Sequence, residues 1–174
     1  MTTLTKETLD TILKSLATER PRFCSEADFQ FALGWKIQQE FPQAEIRFEC
    51  PAKQPDDSTA RTYIDIVVKH GDGLVPIELK WKLKAHRADP INRGMMLHDI
   101  ERLEELQLGG LELSGLNFAG TPKTIEKRFA VWLSDNDRFW NENSKNNILD
   151  YNGHTISWES YTDDFKYALI DVLQ

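Results

Sequence analysis

The stretch from Arg61 to Lys82 constrains the fold more than any other. Two strand-like runs, Tyr63-Ile-Asp-Ile-Val-Val68 and Leu74-Val-Pro-Ile-Glu-Leu-Lys-Trp81, flank Gly71-Asp72-Gly73. Gly71-Asp72 and Asp72-Gly73 both supply residues tolerant of positive φ, so either serves as a two-residue hairpin loop. The first places Asp65 directly opposite Glu78, and the second places it opposite Lys80. Residues that face each other in an antiparallel pair point the same way, so both registers gather Asp65, Glu78 and Lys80 on one face. A three-residue loop would reverse that parity.

Two carboxylates and a lysine on one hairpin face are the parts that hold a hard cation beside a water. Such a cation polarises a phosphoryl oxygen and lowers the pKa of the bound water, chemistry suited to phosphodiester hydrolysis. The alternation from Ile77 to Lys84 taken alone also describes any half-exposed strand. Asp65 is harder to read that way. Aspartate is depleted in strands because it prefers turns and caps, and a carboxylate planted in an apolar run needs a partner.

The rest of the chain reads as one compact unit. Its 174 residues with 40% apolar content suffice for a single domain with a core. Leu9, Ile12, Leu13 and Leu16 recur at helical spacing between about Thr5 and Thr18. A second helix is expected from about Glu26 to Glu40, opened by the capping pattern Ser25-Glu26-Ala27-Asp28. Glu26, Gln30, Leu33 and Ile37 share one stripe of it, although an acid in a first turn also serves the helix dipole. A strand follows at Glu45 to Cys50, then a surface loop from Pro51 to Ala60. A third helix is expected from about Pro90 to Leu108, stopped by Gly109-Gly110. Its apolar stripe is Met96, Ile100, Leu103 and Gln107, and for Asp99 a solvated face with Glu101 and Arg102 is preferred to a reach toward the hairpin residues. Gly109 to Lys123 reads as an irregular insertion, Arg128 to Ser134 as a strand and Asp135-Asn136-Asp137 as a turn. His154 to Trp158 and Phe165 to Val172 are the last strands, with Trp132, Trp140, Trp158 and Tyr161 packing them together.

Asp65 followed by Glu78-x-Lys80 across a short hairpin, preceded by a helix bearing Glu26 and a strand near 44–51, resembles the PD-(D/E)XK nuclease superfamily. Asp99-Ile-Glu-Arg-Leu-Glu104 and Ala130 to Asp137 with Phe139-Trp140 are similar to a compact bacterial branch of it. The resemblance covers residues from about 25 to 174, with 1–20 as an added N-terminal helix. It implies an α/β fold with a restriction-endonuclease-like core, a mixed sheet flanked by helices. The implied activity is magnesium- or manganese-dependent hydrolysis of DNA. Asp65 and Glu78 would bind the metal with the carbonyl of Leu79, Glu26 would join it directly or through water, and Lys80 would orient the attacking water. Ile64 stands where many relatives carry proline. Many relatives act as dimers, so a homodimer is compatible with the resemblance. The rival reading is a non-catalytic nuclease-fold domain serving as an interaction or regulatory module, and a third is a phosphate-metabolite hydrolase.

The chain has 28 acids against 21 bases, a net charge of −7, so any DNA contact must be local. Leu79 to Arg93 is the one concentrated positive segment, and Lys82, Lys84, Arg87 and Arg93 are its candidate phosphate contacts. Cys24 and Cys50 have no metal or redox spacing, and the four histidines lack ligand spacing. Neither a signal peptide nor a membrane span is read, and a cytoplasmic setting is expected.

Overall fold

A computed structural model of the chain describes residues 4–54, 57–86, 90–107, 118, 120, 122 and 124–172, without the side chains of 53–54, 57–61 and 86. The first helix, α1 (Lys6–Glu19), buries Leu9, Ile12, Leu13 and Leu16, and the Thr5 hydroxyl accepts from the Thr8 N–H at its start. The second, α2 (Glu26–Glu40), has the expected bounds. Ser25 caps it by accepting from the Asp28 N–H at 3.1 Å, satisfying one of the donors a helix start leaves open.

Next come β1 (Glu45–Gln54), β2 (Asp57–His70) and β3 (Gly73–Lys82). Of the loop expected at Pro51 to Ala60, residues 51–54 and 57–60 are instead the far half of a long hairpin. Pairing reaches Pro51–Tyr63, Ala52–Thr62 and Lys53–Arg61. Pro51 favours a loop by composition, but β1 is the sheet's edge strand, where proline is tolerated.

The third helix, α3 (Pro90–Glu105), crosses from β3 to β5 (Phe129–Ser134), which pairs with β3 in parallel. Arg128 donates to the Glu104 and Leu106 carbonyls at the end of α3. The Gly109-Gly110 stop and most of the expected insertion lie outside the described residues. The remaining strands are β4 (Thr124–Ile125), β6 (Asp150–Tyr151), β7 (His154–Thr155), β8 (Trp158–Ser160) and β9 (Lys166–Asp171). The strand expected at His154 to Trp158 is therefore split between two short ones.

The main sheet is mixed, ordered β1-β2-β3-β5-β9-β8 with β4 beside the start of β3. Pro76 falls in the break where pairing passes from β4, ending at Leu74, to β5, starting at Ile77. On one face α1 and α2 pack over Ile66, Val68, Ile77, Leu79, Val131 and Tyr167. On the other, α3 packs Met96, Ile100 and Leu103 over Ala130, Trp132, Ala168 and Ile170. Trp132, Phe139 and Trp140 gather around Trp158 with ring centroids 5.3–6.3 Å away. Tyr161 does not join them. Its ring packs on the opposite face beside Phe23 and Tyr167. Among the described residues no helix is long and apolar enough to cross a membrane.

Candidate metal centre at the parting of two strands

The hairpin turn is Gly71-Asp72, with His70 paired to Gly73. Gly71 has φ +61°, the sign a type II′ turn requires at its first central residue. In this register Asp65 stands opposite Glu78, the first of the two alternatives open in the sequence. The β2–β3 ladder ends at Ile66–Ile77. Beyond it β2 bends away, and Ile64 joins the cluster of Val67 and Leu74 although strict alternation would separate them. Opposite the bend, Glu49 on β1 holds φ +50°, a conformation costly for a residue with a side chain.

The bend exposes β3 backbone that β2 no longer pairs, and two carboxylates take it up. The Leu79 N–H donates to Asp65 Oδ2 at 2.6 Å, and the Trp81 N–H donates to Glu26 Oε2 at 2.9 Å. Gln30, one turn further along α2, donates to the Asp65 carbonyl at 2.6 Å and to Glu49 Oε1 at 2.8 Å. Asp65 and Glu26 are thus both held on the β3 backbone where β2, β3 and α2 come together, with Lys80 3.9 Å from Glu26.

Glu78 points to the α3 side and is 0% exposed. Among the described residues no N–H donor is aligned with either of its carboxylate oxygens, and the Asp65 carboxyl stands within hydrogen-bond reach of it. Arg102 Nη2 stands 3.0 Å from Oε1 as an ion pair. Burial drives the Glu78 pKa well above the ordinary carboxylate value, and the charges of Asp65 and Asp99 add to the rise, while Arg102 opposes it. Lys80 donates to the Leu79 carbonyl at 2.9 Å and stands 3.3 Å from Asp99 Oδ2 and 3.9 Å from Glu26 Oε1. Its burial favours the neutral amine, but the surrounding carboxylates, Asp99 foremost, raise the pKa. Lys80 is therefore a cation at neutral pH.

Asp99 and Arg102 do not lie on the solvated face preferred for them but stand beside Lys80 and Glu78. Asp99 is 1% exposed, and Arg102 binds it at 2.7 Å while donating to Thr62 Oγ1 at 2.9 Å. The signal was present: Asp99 lies three residues after Met96 and four before Leu103, inside the buried stripe. Gln30 likewise was placed on the sheet-facing stripe of α2 without a role.

Among the described residues no three His, Cys, Asp or Glu side chains form a metal cluster. The donor set that fits a hard cation is smaller, namely the Asp65 and Glu78 carboxylates with the Leu79 carbonyl. Magnesium keeps several waters and is commonly held by one or two carboxylates. The buried, unaligned oxygens of Glu78 are what such an ion would satisfy, so the residues fit the group.

The basic rim is less unified. Lys82 is half-buried, and its carbonyl accepts from the Ser134 hydroxyl at 2.6 Å. Lys84 is exposed, 4.0 Å from Asp137, with its backbone N–H on the Asp135 carboxylate. Arg93 is tied to the Asn147 carbonyl at 3.1 Å, which spends one of its donors on structure. Arg87 lies outside the described residues. In place of a simple turn, Asp135 bends the chain and Asn136 caps a short 3-10 helix that begins at Asp137.

Compared with protein-family models, with curated proteins and with solved structures, the chain matches none of them.

Proposed function

We propose that this chain is a PD-(D/E)XK-type nuclease that hydrolyses DNA phosphodiesters with magnesium or manganese in a cytoplasmic setting. The observation that carries the reading is the parting of β2 from β3. It leaves Asp65, the buried Glu78 and the Leu79 carbonyl together, with Lys80 beside them. The order of helix, strand, hairpin and crossover helix around a mixed sheet supports a restriction-endonuclease-like core.

Asp65 and Glu78 would hold the ion with the Leu79 carbonyl, and the bound ion would supply Lewis acidity and a more acidic water. Lys80, kept charged by Asp99 and Glu26, orients the attacking water and offsets charge developing on the phosphoryl oxygens. A lysine with a raised pKa suits that electrostatic part better than the part of resting base. Glu26, fixed by the Trp81 N–H, holds Lys80 from the α2 side.

One observation favours the interaction-module alternative: Arg102 and Lys80 already offset the charges of Glu78 and Asp99. The deciding experiment compares cleavage of plasmid, linear and single-stranded DNA by wild type and Lys80→Ala with magnesium or manganese. The variant is expected to lose about 10²–10³-fold in rate. Equal cleavage by both would place the active centre elsewhere. No cleavage by either, with no heat of metal binding to wild type, would favour the interaction module.

A further inference from the structure

We propose that Arg102 is a built-in counter-cation for Glu78 that a divalent ion must displace, so that the guanidinium and the metal exchange on the same carboxylate. The inference rests on the nuclease reading of this site. α3 brings Arg102 Nη2 to 3.0 Å from Glu78 Oε1, and among the described residues it is the cation in contact with that carboxylate. In a dry pocket a lone carboxylate is strongly disfavoured, and the guanidinium supplies the compensating charge. A metal ion bound to the same oxygens would face a like charge at contact distance, so the two cannot share Glu78 without a large repulsion.

The geometry also provides the release. The same Nη2 binds Asp99 Oδ1 at 2.7 Å, and Nη1 donates to Thr62 Oγ1 at 2.9 Å. Both are in line as hydrogen bonds, whereas the contact with Glu78 is not. The contact with Glu78 is therefore the one that yields, and Arg102 keeps two partners when it does. Asp99 sits three residues earlier on α3 and pairs with Lys80 as well. It is the fixed post against which Arg102 turns while Lys80 stays in place.

The test is calorimetric titration of Mn²⁺ into wild type, Arg102→Met and Glu78→Gln at one pH. It is joined by ¹⁵N NMR of the Arg102 Nε–H in wild type as Mg²⁺ is added, the signal being assigned by its loss in Arg102→Lys. Exchange requires Arg102→Met to bind Mn²⁺ about tenfold more tightly than wild type, Glu78→Gln to lose the binding, and the Arg102 signal to move until the site is saturated. Equal or weaker binding by Arg102→Met, with wild-type binding intact, overturns the exchange and leaves the nuclease reading standing. No binding by wild type or Arg102→Met overturns both. Should Arg102→Met fail to fold, the wild-type signal decides: one that stays still at saturating Mg²⁺ overturns the proposal.

Discussion

Asp99 is 1% exposed and sits between two cations, with Lys80 Nζ at 3.3 Å and Arg102 Nη2 at 2.7 Å. Burial outweighs both, and its carboxyl is pushed up to about 6 from 3.8. Between those values the folded chain binds more protons at this site than the unfolded chain. The contribution of Asp99 to stability therefore falls as pH rises from 3.8 to about 6. Asp28 and Glu101 act in the opposite sense, held low first by hydrogen bonds from the Cys24 N–H and the Tyr151 hydroxyl. Urea unfolding of wild type and Asp99→Asn across this range isolates the term. The stability of wild type relative to the variant is expected to decline with rising pH, and a relative rise would mean that the two ion pairs outweigh burial. The sequence shows that Asp99 shares the stripe of Met96 and Leu103. Its partner Lys80 stands on another element, and no local pattern joins the two, so the pairing was not legible. Glu78 shows the same limit: its place on the hairpin face was readable, but its burial depends on α3 lying over it.

At the scale of elements the centre depends on one bend. α2 holds that bend through Gln30, which bonds the Asp65 carbonyl and Glu49 with one amide nitrogen. Replacing Gln30 with alanine leaves the Asp65 carbonyl without this donor and frees β2 to straighten. The expected cost is about 1–2 kcal/mol in chemical denaturation. If the proposed activity is present, cleavage should fall by more than the stability loss explains, since Asp65 would lose its backing. Unchanged stability would show that β2 bends without help from α2. A two-residue hairpin loop and the bounds of α2 were legible because local chemistry sets them, through the glycine turn and a serine cap, whereas the choice between Gly71-Asp72 and Asp72-Gly73 was not. The far half of the β1–β2 hairpin was not. Pro51, Ser58 and two aspartates read as a loop, and only pairing between the strands overrides that composition. The separation of Tyr161 from the tryptophan cluster was hidden for a related reason. The sequence shows that aromatics pack but not which side of the sheet receives each.

At the scale of the whole molecule the net charge of −7 opposes a polyanion, and the proposed DNA contact must rest on a few groups near the end of β3. Lys82 ends the strand that carries Lys80 and Lys84 opens the short 3-10 helix after it, while Arg93 has one nitrogen committed to Asn147. Each phosphate neutralised on duplex DNA contributes about 0.9 to the slope of log affinity against log salt. A footprint of this size predicts a slope of magnitude about 2–4, well below that of a protein coating DNA with a broad basic face. Fluorescence anisotropy of labelled duplex with the Lys80→Ala protein measures binding apart from cleavage. Adding Lys82→Ala and Lys84→Ala should lower the slope by about 2 and weaken all sequences alike, because phosphate contacts carry no base information. A slope that stays the same would move the DNA path away from the end of β3, and with it the reason for placing the scissile phosphate beside Glu78.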